Sequence, residues 1–244
     1  MLNLSGVFAV LDHGITLNWD DGPTLHKISA QVRYHTAGSA SSKTLRVTAS
    51  SLYSDDPVAF MAMQDGLRGS WVWQERDPGW TVHLSVVNEG EDDIYLDMLD
   101  IVRIDTAFGG LFNIGAPPGL WQVSGDAPAA LLAAPDSPAE APITPAVESL
   151  SSSPATLAGF RRVRELVVQP SASNRSTPPA LLFRVLDAAS ALPTELVIEA
   201  TGERFERFIA RYKTDALMIA HGVGLVTPEI WIVAGDDAAE LREL

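Results

Sequence analysis

The chain has 244 residues, no cysteine and a formal charge of −14, from 17 Lys+Arg against 31 Asp+Glu. This composition excludes disulfides, thiolate metal centres and a cysteine nucleophile, and its acidic field repels polyanions, so neither nucleic acid nor an anionic membrane is an expected partner. At 46% apolar and 20% charged the sequence is that of a folded chain with a sizeable core.

The N-terminus, MLNLSGVFAVLDHG, has neither a basic stretch nor a small-residue cleavage site, and no apolar run approaches the roughly 20 residues that cross a bilayer. A soluble, cytoplasmic chain is expected. From Leu2 to Ile104, short apolar stretches alternate with turn residues at the period of strands. LHKISAQVRYHT and TLRVTASSLY flank GSASS, which predicts two strands and a loop. SWVWQER leads through Asp77, Pro78 and Gly79 into GWTVHLSVVN, where Val82, Leu84 and Val86 alternate with His83 and Ser85. After NEGEDD comes IYLDMLDIVRI, with Ile94, Leu96 and Met98 alternating with Tyr95, Asp97 and Leu99. Two such runs around an Asn/Gly/Asp loop predict a hairpin, and the three runs together a meander.

Prolines at 117, 118, 128, 135, 138, 142, 145 and 154 predict an irregular Pro/Ala-rich segment over about 116–154, exposed or used as an interface arm. Strand-like runs resume in FRRVRELVVQ, ALLFRVL, TELVIEAT and PEIWIVAG. Between the last two, Phe205, Phe208, Ile209 and Tyr212 fall at i, i+3, i+4 and i+7, a spacing that fits a short helix as well as a strand. The closing GDDAAELREL offers Asp236 or Asp237 as an N-cap and Glu240 in the first turn, so a helix of about two turns is predicted. That helix either docks on the β domain or leads into further sequence. The fold class is therefore all-β, a single domain over 1–244 with two layers of antiparallel strands and at most one or two short helices.

Candidate chemistry is sparse. Glycosidic cleavage needs two carboxyl groups about 5–10 Å apart, whereas the clustered Glu89, Glu91, Asp92 and Asp93 occupy one loop-like string and read as solvated. The same string lacks the ligand order and glycine of a calcium loop. The histidines, His13, His26, His35, His83 and His221, stand singly without zinc-site spacing. No metal and no cofactor is expected, and no G-x-S-x-G elbow, P-loop or dinucleotide fingerprint occurs. The tryptophans carry the remaining signal. Trp71 and Trp73 share one strand face, and Trp80 and Trp121 each follow a Pro/Gly turn. All four are candidate carbohydrate-binding residues, because a flat ring stacks on the apolar face of a pyranose. The competing place for them is the core, the favoured one for Trp71 and Trp73.

Two stretches carry a resemblance. The Trp231 strand followed by AGDDAAELREL, and TVHLSVVNEGEDDIYLDMLDIVRID followed by FGGLFNIG, resemble the N-terminal β-supersandwich domain of α-galactosidase-like (melibiase, glycoside hydrolase family 36-like) enzymes, near its junction with a catalytic (β/α)8 barrel. The resemblance implies a galactose mutarotase-like antiparallel supersandwich and puts the catalytic carboxylates in a barrel that would follow Leu244. It assigns no catalytic residue to this chain. Asp20 and Asp21 in NWDDGP match acidic-glycine strings of such barrels only superficially, and next to Gly22 and Pro23 they read as a turn. The expected function is that of a non-catalytic domain serving barrel packing, oligomer assembly or substrate-pocket shaping. Its expected partners are a catalytic barrel, a carbohydrate, or a like subunit in a homodimer built on PEIWIVAG and AAELREL. The alternatives are a free-standing carbohydrate-binding or assembly module, and a sugar epimerase using His83 and Glu229 as acid and base, two residues that nothing in the sequence places together.

Overall fold

Most strand-like runs alternate apolar and polar residues, so each strand has one face to bury, and two antiparallel sheets stacked face to face satisfy all of them at once. In the computed structural model, residues 6–11, 14–20, 22–39, 41–49, 52–55, 57–125, 146–149, 156–161, 165–171, 179–186, 194–201 and 203–244 are described. With strands numbered in chain order, the first sheet runs β1 (Gly6–Leu11), β2 (Gly14–Trp19), β3 (Thr24–Thr36), β9 (Ile94–Asp105), β17 (Arg204–Ile219), β16 (Thr194–Thr201), β13 (Thr156–Arg161). On β3, β4 (Lys43–Val47) and β10 (Leu111–Asn113) also pair. The second sheet runs β12 (Ala146–Ser149), β11 (Trp121–Gly125), β14 (Glu165–Pro170), β15 (Ala180–Leu186), β19 (Glu229–Gly235), β8 (Trp80–Asn88), β7 (Leu67–Glu75), β6 (Val58–Gln64), β5 (Leu52–Asp55), with β18 (Gly224–Val226) beside β8. A single short helix, α1 (Ala238–Glu243), completes the described chain.

The core lies between the sheets. Val32, Tyr34, Leu96, Ile104 and Phe208 reach in from the first, and Trp71, Val82, Leu84 and Phe183 from the second. Strand β4 presses so closely on the second sheet that a Cβ on Gly69 would lie 3.1 Å from Leu45 and 3.2 Å from Val47, which explains a glycine in the middle of β7. The all-β, two-layered expectation matches this architecture.

Three local expectations are corrected. The runs around NEGEDD do not form a hairpin, because β8 belongs to the second sheet and β9 to the first, so the chain arches across the sandwich. Alternation records which face of a strand is buried, not which strand lies beside it. Asn88, fully buried, builds the corner: its side chain donates to the carbonyls of Asp92 (2.8 Å) and Ile219 (3.0 Å) and accepts from Gly90 N (3.0 Å). The predicted meander therefore reduces to the β7–β8 pair, joined through Asp77–Gly79.

The helical spacing of Phe205, Phe208, Ile209 and Tyr212 belongs to strand β17. Ala200 pairs with Phe205 and Glu199 with Arg207, so Glu206 is an extra bulge residue. One inserted residue turns a period of two into a step of three, and Phe205 and Phe208 both reach the core. The segment at about 116–154 is not wholly irregular, since its proline-free stretches Trp121–Gly125 and Ala146–Ser149 pair as β11 and β12. Residues 126–145 and 150–154 of that segment lie outside the described residues.

At the C-terminus Asp237 caps α1 by accepting from Ala239 N at 2.7 Å, as predicted. The helix docks on the outer face of the second sheet, where Leu241 packs with Val167, Leu182, Trp231 and Val233 in a small second core. Arg242 pairs with Glu165 (3.1 Å) and donates to Ser124, and Arg184 donates to the Arg242 carbonyl (3.0 Å). Trp231 is 5% and Leu241 0% exposed within one chain, so the apolar face proposed for a dimer is already covered. No helix among the described residues is long and apolar enough to cross a membrane.

Candidate functional site

The four tryptophans do not form a surface. Trp71 and Trp73 pack edge to face at 5.2 Å, both at 0% exposure, and Trp71 Nε1 donates to the Ile101 carbonyl at 2.9 Å. Trp121 is buried among Phe112 and Phe205, its Nε1 donating to the Ala116 carbonyl at 2.8 Å. A ring enclosed on both faces has none to offer a sugar, so these three assignments are corrected to core. Only Trp80 is half-buried, its ring 4.5 Å from that of Phe8 and tilted by 31°. The carboxylate string on the arch is spread out: Glu89 pairs with Arg68 at 2.6 Å, and Glu91 and Asp92 are exposed.

The pairing of β8 with β19 brings together His83 and Glu229, with His83 Nδ1 3.9 Å from Glu229 Oε1. Burial holds the His83 ring below the ordinary imidazole range, and Glu229 opposes that shift only in part. The carboxylate is 45% exposed and beyond hydrogen-bond reach of the ring. The fold thus makes the two side chains neighbours, with the carboxylate facing solvent and no hydrogen bond between them.

A denser constellation lies on the outer face of the first sheet. Alternation in β3 turns Ser29 and Gln31 away from the core formed by Ile28, Ala30 and Val32, and in β4 it turns out Arg46, opposite Gln31. On the other side of β3, Ser29 pairs with Arg103 and Gln31 with Asp100, because Ile101 is bulged out of the β3–β9 register. Asp100 is fully buried and is the hub. It accepts from Gln31 Nε2 (2.7 Å), Arg103 Nη1 (3.1 Å), Arg211 Nε (2.6 Å) and Arg211 Nη2 (3.4 Å). Three of those donors meet at Oδ2 and one at Oδ1, so both oxygens of the carboxylate are engaged. Arg103 also donates to Asp105 at 2.5 Å, and Asp105 in turn caps the 3-10 turn Thr106–Phe108 through Ala107 N.

That turn sets the rim. Phe108, 55% exposed, lies under the Arg46 guanidinium, whose carbon is 4.6 Å from the ring centroid. The result is a cavity of about 270 Å³ whose lining includes Lys27, Ser29, Gln31, Arg46, Arg103 and Phe108. Amide, hydroxyl and guanidinium groups around one accessible ring are the chemistry that holds a polyhydroxylated ligand. The Asp100 carboxylate beneath them is sealed from a substrate, and among the described residues no group of three or more His, Asp or Glu gathers to hold a metal.

None of these lining residues stands out in the sequence. LHKISAQVRYHT does show one polar face, but that the polar faces of β3 and β9 converge, and that a turn folds Phe108 over Arg46, depends on contacts between residues about 60 to 75 positions apart.

No protein-family model matches the chain, and comparison with curated proteins finds no match. Solved structures do match in fold. The GH36 α-galactosidase AgaA from Geobacillus stearothermophilus superposes with a TM-score of 0.55 at 11% identity, covering 84% of this chain and 30% of that one. AgaB from the same organism gives 0.54 at 11% identity with the same coverage. A galactose mutarotase-like protein from Lactobacillus casei ATCC 334 gives 0.51 at 11% identity and covers 94% of this chain and 99% of that one. The chain spans 30% of the α-galactosidases' length and almost all of the mutarotase-like protein. Its fold is thus the β-sandwich that GH36 α-galactosidases carry as one domain and that the mutarotase-like protein consists of.

Proposed function

We propose that this chain is a non-catalytic carbohydrate-binding domain, related to the β-sandwich of GH36 α-galactosidases, that works beside a catalytic domain by holding or shaping the sugar site. The observation that carries this reading is the cavity on the outer face of the first sheet, where hydrogen-bonding side chains surround an exposed Phe108 while the carboxylate below them is buried and fully engaged. Binding without cleavage is the chemistry such a site supports, because it offers no accessible pair of carboxyl groups.

Calorimetric titration of the chain with galactose and galactosides tests the reading. Saturable binding weakened at least tenfold by Phe108→Ala is expected, with no release of nitrophenol from nitrophenyl galactosides. Turnover that follows the protein through purification and disappears on replacing one carboxylate would overturn the non-catalytic assignment. Polarimetry on freshly dissolved galactose checks the His83–Glu229 pair separately, the expected result being no acceleration of mutarotation.

A further inference from the structure

We infer that the cavity over β3, β4 and β9 takes a sugar carrying an anionic group, a carboxylate or a phosphate ester, rather than a neutral sugar. The inference deepens the carbohydrate-binding reading and rests on it. Its starting point is an imbalance of charge. The chain has 14 more carboxylates than Lys and Arg, so a concavity lined by positive charge runs against its overall field. Around the cavity the buried network is balanced, with Asp100 and Asp105 set against Arg103 and Arg211. Lys27 and Arg46 line the same cavity and have no carboxylate partner among the described residues, so two positive charges are left over.

Each charge has its own place on the rim. Lys27 sits at φ 53°, in the left-handed region that side chains other than glycine rarely adopt. Its ammonium lies against the turn at Gly109, where an added Cβ would be 2.7 Å from Lys27 Nζ. Glycine at 109, itself at φ 77°, leaves the room that the ammonium occupies on the rim. Arg46 is fixed from the other side by stacking on Phe108 at 4.6 Å, which leaves the N–H fork at its edge free for a bidentate acceptor. Arg103 also lines the cavity, and its buried Nε–H has no acceptor among the described residues. Like charges gathered in one concavity repel, and an anion placed among them relieves that repulsion. A volume of 270 Å³ is slightly below the ~300 Å³ at which pockets for larger ligands begin, which suits one monosaccharide.

The experiment is calorimetric titration of the full chain with galactose, galacturonate, galactose 6-phosphate and inorganic phosphate. The expected result is that at least one acidic sugar binds tenfold or more tightly than galactose and than phosphate alone, with affinity falling as salt is raised. Lys27→Gln and Arg46→Gln, each checked for an unchanged melting temperature, should bring the affinity for the acidic sugar down to that for galactose. Galacturonate and galactose 6-phosphate separate a carboxylate from a phosphate ester as the favoured group. Equal binding of galactose and both acidic sugars, or acidic-sugar binding that survives both substitutions, overturns the inference while leaving the carbohydrate reading intact. Phosphate binding as tightly as either sugar acid also overturns it, since the site would then recognise an anion and no sugar. Absence of binding by every sugar removes both.

Discussion

The two sheets of the sandwich present opposite solutions on their outer faces. On the second sheet the outward residues Val167, Leu182, Trp231 and Val233 are apolar, and the chain covers them with its own helix through Leu241. On the first sheet the outward residues Gln31, Asp100, Arg103 and Arg211 are polar, and no helix among the described residues covers them; they satisfy one another and leave a cavity above. Outward apolar surface needs a lid, and here the lid is internal, which removes the reason for expecting a second subunit on that face. An outward polar network needs only water or a ligand. On the proposed reading, one face is structural and the other serves recognition.

The largest expected effect tests whether the open face is held together by its hub. Asp100→Ala leaves Gln31 and two arginines without their shared acceptor, and should cost about 3 kcal/mol in urea unfolding, the lower end for breaking a buried ion pair because the guanidinium groups keep some solvent contact. A loss below about 1 kcal/mol would mean that the network is surface decoration.

Next in size is the closed face. Leu241→Ala should lower stability by about 2 kcal/mol, since a fully buried leucine is lost from a helix short enough to fray. A chain ending at Gly235 should expose Trp231 and self-associate in light scattering, whereas the full chain should not. If both behave alike, the helix is not the lid.

A smaller effect concerns His83, on the second sheet's outer face. The folded chain resists protonating this ring, while the unfolded chain takes the proton near the ordinary value of 6.5. Its contribution is therefore complete above that pH and is lost as pH falls through 6.5 toward the depressed folded value. Melting temperatures taken on either side should differ less in His83→Asn than in the wild type.

The smallest effect belongs to the cavity rim. Arg46→Ala should change stability by no more than about 0.5 kcal/mol, because Arg46 is exposed and has no carboxylate partner among the described residues. A larger loss would make the rim a structural feature and weaken its assignment to recognition.

Much of the fold was legible because strand period and turn chemistry are local. The β3–β4 loop, the turn at NWDDGP, where Gly22 N donates to the Trp19 carbonyl at 2.9 Å, and the Asp237 cap each rest on a few neighbouring residues. Trp71 and Trp73 were equally readable as core, since large rings on the apolar face of a strand are the ones that a second sheet encloses. The site was not legible. Asp100 is one of two acidic residues in IYLDMLDIVRI, and only a bulge at Ile101 and the approach of Arg211, 111 positions later, make it a hub.

By itself the sequence determined the alternation that makes strands, the prolines that interrupt them, the cap that starts the last helix, and the overall excess of acid. Only the tertiary structure decided which strands are neighbours. It sent β8 and β9 to opposite sheets, gave β17 a bulge that imitates helical spacing, and set Lys27, Arg46, Arg103 and Phe108 around one cavity. The physical reason is that burial acts on one face of each strand and is written in nearest-neighbour alternation, whereas pairing joins residues far apart in the chain through backbone groups that every residue carries alike.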